Sequence, residues 1–107
     1  MEALRTSVRR ASARLRDRVG GWPPDRWAAP LSDSRSKADL VYAVVQQIAD
    51  LAADAEGQPR RVVPRLTNDV ALPDQLTVVV NDLLGVTADR AALEPARTAI
   101  EIANRAL

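Results

Sequence analysis

The chain has 107 residues, of which 47% are hydrophobic and 27% are charged. This length leaves room for a single hydrophobic core, and the hydrophobic fraction excludes a wholly disordered or collagen-like chain. Cysteine and histidine are both absent from the sequence. Their absence excludes disulfides, thiol nucleophiles, zinc fingers, histidine-ligated haem and imidazole acid–base chemistry.

The net charge of +1 conceals an uneven distribution of charge along the chain. Residues 1–20 carry six arginines and two carboxylates, whereas residues 37–107 carry seven basic and ten acidic side chains. A basic segment therefore precedes a mildly acidic body. The arginine content also has an explanation that involves no function, because a GC-rich bacterial genome favours arginine over lysine. The sequence has 14 arginines and one lysine.

No stretch of the sequence approaches the roughly 18 to 20 consecutive apolar residues of a membrane span. The N-terminal segment also lacks the continuous apolar region of a secretory signal. We therefore expect a cytoplasmic protein without a membrane partner.

The first predicted element is a helix from about residue 3 to residue 19, whose apolar side chains recur at steps of three and four. They form a stripe about 80° wide, made of Leu4, Val8, Ala11, Leu15 and Val19. Arginines flank this narrow stripe on both sides, with Arg5, Arg9 and Arg16 on one side and Arg10, Arg14 and Arg18 on the other. Gly20 and Gly21 are predicted to end the helix.

Residues 20–35 contain three of the seven prolines and both tryptophans, which predicts an ordered connector rather than a helix. Trp22 and Trp27 are the largest side chains of the sequence, and their burial is expected to fasten the connector to the core. The alternative is a proline-rich ligand motif, although WPPDRW lacks a P-x-x-P core.

The second helix is predicted to begin after Ser36, because Ser36 and Asp39 match the S/T-x-x-D/E capping pattern. Apolar side chains from Leu40 to Ala55 then form a stripe about 140° wide. A stripe of this width needs more than one neighbouring helix to cover it. Gly57 is predicted to end the helix.

Residues 58–72 form a second long connector with two prolines, which is expected to run extended across the bundle. A third helix is predicted over residues 73–84, with Gly85 just past its end, although its TVVV run makes a strand a competing prediction. The last helix opens at Thr87. Pro95 lies too far into it for a first-turn proline, so we expect a kink there or the start of a new helix.

Two weak signals for chemistry each have a stronger structural explanation. Ser34 and Lys37 have the S-x-x-K spacing of penicillin-binding proteins, but the other motifs of those enzymes are missing and the serines are better explained as helix caps. Asp50 and Asp54 lie one turn apart, where a solvated helix face explains them better than a cation site. No glycine-rich phosphate loop occurs in the sequence. We predict no enzyme activity, no cofactor, no metal and no small-molecule substrate.

The basic N-terminal helix is the remaining functional feature, and three interpretations of it compete. Its arginines could neutralise nucleic-acid phosphates, although they surround the helix and no aromatic, Asn or Gln side chain is present to read bases. A membrane-surface helix would carry Trp or Phe on its apolar face. A helix that docks on a partner or on the chain's own body would use both the apolar stripe and the arginines.

The sequence therefore predicts an all-α fold, a small helical bundle of three core helices plus an N-terminal basic amphipathic helix. The expected division is a basic helix at 1–20, a connector at 21–35 and a helical core at 36–107. The predicted function is a non-enzymatic protein-interaction or regulatory module of a bacterial complex, which binds another protein or a second copy of itself. A nucleic-acid-binding accessory protein is the alternative.

The predicted partner-binding residues are Leu4, Val8, Leu15, Arg9, Arg10, Arg14, Trp22 and Trp27. The direction in which the arginine side chains point distinguishes the two predicted functions. Arginines gathered on an exposed face would favour nucleic acid, and arginines paired with carboxylates would favour docking on protein.

Overall fold

The computed structural model describes residues 2–107, and the described residues form an all-α fold, as the sequence predicts. The helices are α1 (Glu2–Val19), α2 (Pro24–Ala28), α3 (Lys37–Glu56), α4 (Leu72–Val86) and α5 (Arg90–Ala106), with a short 3-10 turn at Asp69–Ala71 before α4. Within residues 2–107 no β-strand forms, and one isolated bridge joins Pro30 to Ser36.

The four long helices form a bundle in which α1 and α3 each lie between α4 and α5. Contacts at both ends of α1 show its direction relative to α4. The Arg5 guanidinium donates to the Leu84 carbonyl (2.6 Å), and Arg16 donates to Thr77 Oγ1 (3.2 Å). Because the earlier residue of α1 meets the later residue of α4, the two helices are antiparallel.

The helices α3 and α4 run parallel, because the chain returns to the start of α3 before α4 begins. Arg60 pairs with Asp54 near the end of α3, and Arg65 pairs with Asp39 in its first turn. The connector therefore runs back along the whole of α3. This crossover explains why the connection exceeds the roughly two to eight residues typical of neighbouring helices in a bundle.

The core contains side chains from all three predicted segments of the chain. Five come from the stripe on α1, namely Leu4, Val8, Ala11, Leu15 and Val19, and both tryptophans join them from the connector. The remainder come from α3, α4 and α5. Thus α1 is a fourth core helix of the bundle, whereas the sequence predicted three core helices with α1 added to them. The apolar stripe of α1 is covered by α4 and α5, which the spacing along the chain alone does not reveal.

The predicted helix ends are confirmed at three positions. Ser36 Oγ accepts from the Asp39 backbone N–H, and the Asp39 carboxylate accepts from the Ser36 backbone N–H, both at 3.0 Å, which completes the capping box of α3. Gly57 follows α3 with a φ of 69°, and Gly21 follows α1 with a φ of 83°. Both angles lie in the left-handed region that glycine adopts without strain.

Four local predictions differ from the structure. The first connector contains α2, a single turn opened by two prolines. The TVVV run is helical, as predicted in preference to a strand, but α4 continues through Gly85 to Val86, so this glycine is not a helix terminator. The last helix, α5, begins at Arg90 rather than directly after Thr87, and of the two alternatives predicted at Pro95 the start of a new helix is wrong, since α5 continues through this residue. A proline there removes one backbone hydrogen bond, and the burial of Leu93 and Ala96 on either side stabilises the helix across it.

The position of α1 in the core yields a test by cavity formation. Leu15→Ala is expected to lower the free energy of unfolding by about 2 to 5 kcal/mol, because Leu15 is fully buried and the cavity cannot collapse completely. Urea unfolding measures the change. Val78→Ala, at a position that is 57% exposed, is the control and should have little effect. A negligible effect of Leu15→Ala would show that α1 detaches from the bundle.

The capping box of α3 yields a second test. Ser36→Ala is expected to lower the free energy of unfolding by about 0.5 to 2 kcal/mol, since the Asp39 backbone N–H loses its acceptor. Ser36→Asp should be tolerated because a carboxylate can accept the same hydrogen bond. Thermal unfolding compares these variants with Ser32→Ala, a change at an exposed serine outside the cap. Equal effects of the two alanine changes would contradict a capping role.

Candidate interaction surface

The exposed side of α1 carries five arginines, which we call the arginine surface. Its members are Arg9, Arg10, Arg14, Arg16 and Arg18, all of them exposed. In the part of the chain from residue 2 to residue 107, no carboxylate oxygen lies within 4.0 Å of any of these guanidinium groups. Arg16 makes one neutral hydrogen bond, to Thr77.

Four arginines of the connectors and of α5 do have carboxylate partners. Arg35 pairs with Asp33 at 2.8 Å, Arg60 with Asp54 at 2.8 Å and Arg65 with Asp39 at 3.1 Å. Arg90 pairs with Glu94 on α5. The arginine surface is therefore a local concentration of unpaired positive charge on a chain whose net charge is only +1.

The arginine surface consists of two rows. At about 100° per residue, Arg9 and Arg16 share the side of α1 that faces α4, where Arg16 contacts Thr77. Arg10, Arg14 and Arg18 follow one another at steps of four on the opposite side. Asp17 is exposed between the two rows. The centre of the surface thus carries one carboxylate, and its two edges carry the guanidinium groups.

The apolar side of α1 is occupied by the protein itself. Leu4, Val8 and Leu15 are predicted partner-binding residues, and all three are at most 6% exposed in the core. A partner could reach them only if α1 left the bundle. Of the predicted docking modes, α1 therefore adopts docking on the chain's own body, and the side chains available to a partner are the arginines, Arg9, Arg10 and Arg14 among them.

The two tryptophans fasten the first connector to the bundle. Trp27 is 1% exposed and Trp22 is 7% exposed, and their rings meet edge to face with centroids 5.2 Å apart. The cations of Arg26 and Lys37 lie over the Trp22 ring, 4.9 Å and 5.3 Å from its centre. This arrangement contributes packing energy and leaves a partner little tryptophan surface.

Side chains of α3 and α4 hold the second connector by its backbone. The Gln46 amide accepts from the Val63 N–H (2.7 Å) and donates to the Arg61 carbonyl (2.9 Å). Tyr42 donates its hydroxyl proton to the Val63 carbonyl, and Gln75 donates to the Pro64 carbonyl (2.9 Å). The roles of these helix residues were missed by sequence reasoning, because a polar residue on a helix face gives no sign of which distant backbone group it will meet.

An open cleft of about 720 Å³ lies between this connector and the groove of α3 and α4. Small apolar side chains, including Ala49, Ala53 and Val79, contribute to its lining, together with Glu56 and Asp82. Val62 of the connector is 82% exposed beside it. A smaller groove of about 270 Å³, lined mainly by uncharged side chains, separates α3 from α5.

The residues considered for chemistry have structural roles. Ser36 caps α3, and the Lys37 ammonium lies over Trp22. Asp50 and Asp54 both face Arg60, at 3.9 Å and 2.8 Å. Residues 2–107 contain no cluster of three or more metal-ligating Asp, Glu, His or Cys side chains, and no helix in this range is both long and apolar enough to cross a bilayer.

Comparison with protein-family models, with curated proteins and with solved structures found no match to this chain.

The link between α3 and the second connector yields a test by pH. The Ser36 backbone N–H and the Arg65 guanidinium hold the pKa of Asp39 below its ordinary value of 3.8. A lowered pKa in the folded state means that ionised Asp39 adds stability above pH 3.8, and that this stability is lost as the pH falls through the lower folded-state value. Asp39→Asn should therefore destabilise the protein at pH 7.

Below pH 3.8 the difference between Asp39→Asn and the unmodified chain should shrink, as measured by urea unfolding across a pH series. Thr98→Ala, an exposed change without a titratable group, serves as the control, and its effect should stay constant. An Asp39→Asn effect of the same size at pH 7 and at pH 2.5 would contradict the ion pair and the charged cap.

Proposed function

We infer that the chain is a non-enzymatic interaction module that binds a polyanionic partner through the arginine surface of α1. The observation that carries this proposal is the set of five exposed arginines without a carboxylate partner among residues 2–107. An anion placed against this surface would supply the charge that the protein itself does not provide.

The spacing of the arginines supports the proposal energetically. Arg10 and Arg14 lie four residues apart, as do Arg14 and Arg18, so that each pair sits on one side of the helix. Like charges at this spacing destabilise a helix by roughly 0.2 to 0.5 kcal/mol per pair. A bound anion between two guanidinium groups turns this repulsion into two favourable interactions.

The alternative use of α1, in which its apolar stripe binds the partner, has a large energetic cost. Exposing a buried leucine or valine costs about 1.5 to 3 kcal/mol each. A partner that binds Leu4, Val8 and Leu15 would therefore have to offset several kcal/mol of lost burial before its binding became favourable. The arginine surface needs no such rearrangement, because its side chains already face solvent.

Chromatography on heparin, a sulfated polyanion, tests the proposal. The double variant Arg10→Gln, Arg14→Gln should elute at a clearly lower NaCl concentration than the unmodified protein. The matched control is Arg61→Gln, Arg105→Gln. It changes the net charge equally, also at exposed positions with no carboxylate within 4.0 Å among residues 2–107.

The control should elute close to the unmodified protein, because it leaves the arginine surface intact. Circular dichroism of both variants shows whether the helices are retained. Equal shifts for the two well-folded variants would mean that heparin responds to net charge alone, and the proposal would be wrong.

A further inference from the structure

We propose that the polyanion bound by the arginine surface is duplex nucleic acid, which is held by its phosphates without readout of the bases. This inference rests on the proposed function and names its partner. Three observations support it: the two-row arrangement of the arginines, the guanidinium chemistry of the rows, and the absence from α1 of amide side chains that read adenine and of aromatic side chains that stack on bases.

The two rows fit the shape of a duplex. An α-helix with its side chains is about 10 to 12 Å across, and the major groove of B-form DNA is about 12 Å wide with a phosphate strand along each wall. Arg9 and Arg16 extend from one side of α1, and the row of Arg10, Arg14 and Arg18 extends from the other. A duplex can therefore present one phosphate strand to each row.

All five cations of the arginine surface are guanidinium groups. A guanidinium presents a planar set of N–H donors that matches two phosphate oxygens at once, whereas an ammonium acts as a point charge. A phosphate strand is a regular array of such acceptors, with one negative charge per 1.7 Å or so of duplex axis when both strands are counted. Successive members of a row can therefore bind successive phosphates.

The remaining residues of α1 offer little to a base. Within Glu2–Val19 there is no Asn, Gln, Phe, Tyr or Trp. Trp22 and Trp27, the nearest aromatic side chains in sequence, are buried against the bundle. Bases of a single strand would find no aromatic face to stack on, and the base edges of a duplex would find no bidentate amide. Binding should therefore favour duplex over single strand and should not depend on sequence.

The buried apolar stripe argues against a lipid surface as the polyanion. A helix that binds a membrane surface inserts its apolar face into the headgroup region. In this bundle that face is covered by α4 and α5, so only electrostatic attraction would remain.

Asp17 supplies an internal check on the geometry. It is exposed between the two rows, where a phosphate strand or a duplex groove would approach it. Its carboxylate repels phosphate, so Asp17→Asn should tighten binding by several-fold. The control is Asp74→Asn, at an exposed position of α4 outside the arginine surface, which should change the affinity little.

Fluorescence anisotropy with a labelled random-sequence 24-base-pair DNA measures the affinity across a NaCl series. Each phosphate neutralised adds about 0.9 to the slope of log affinity against log salt. The Arg10→Gln, Arg14→Gln variant should therefore lower the slope by roughly two and weaken binding at low salt by at least about tenfold. The Arg61→Gln, Arg105→Gln control should preserve the slope.

Competition experiments identify the partner class. Unlabelled duplex should displace the probe better than single-stranded DNA, poly-L-glutamate or phosphatidylserine vesicles at equal total charge. Displacement by poly-L-glutamate as effective as by duplex would overturn the nucleic-acid inference and leave the proposed function standing, with an acidic protein as partner. Equal heparin elution of the two double variants would instead remove the proposed function itself.

Discussion

The packing of the α1 stripe against α4 and α5 determines which parts of this protein are available to a partner. Five apolar side chains enter the core from this one helix, and their burial fixes the rotation of α1 about its own axis. Once the rotation is fixed, five of the six arginines that flank the stripe are exposed to solvent, and the sixth, Arg5, donates to the Leu84 carbonyl of α4. The most basic surface of the molecule is thus a direct consequence of a hydrophobic contact.

The second connector plays a comparable part for the other half of the bundle. It returns along α3 and lets α4 begin beside the start of α3, so that the two helices run parallel. Its backbone polar groups form hydrogen bonds with the side chains of Gln46, Tyr42 and Gln75. These bonds replace the backbone hydrogen bonds that a regular helix or sheet would provide. The paired arginines Arg60 and Arg65 belong to this connector and neutralise acidic groups of the body.

These two constraints divide the charged groups of the protein into two populations. Arg35, Arg60, Arg65 and Arg90 lie beside carboxylates, whereas the five members of the arginine surface have no carboxylate within 4.0 Å among residues 2–107. The residues of both populations are exposed arginines, so the two populations differ only in whether the fold places a carboxylate beside them. It supports a binding role for α1 more strongly than composition does, because a genome that favours arginine would supply both populations alike.

Local signals in the sequence determined the all-α fold, the capping box at Ser36 and Asp39, and the glycine ends of α1 and α3, because each depends on residues within a few positions of one another. They failed at Gly85, which lies inside α4, and the new helix that was one of the two alternatives at Pro95 does not form, because packing of neighbouring side chains overrides the residue's own preference. Only the tertiary structure decided that α1 belongs to the core and that five of its six arginines lack acidic partners among residues 2–107. The contacts responsible, such as Arg5 with Leu84 and Arg16 with Thr77, join residues more than 60 positions apart, and periodicity within one helix cannot show what will lie beside it.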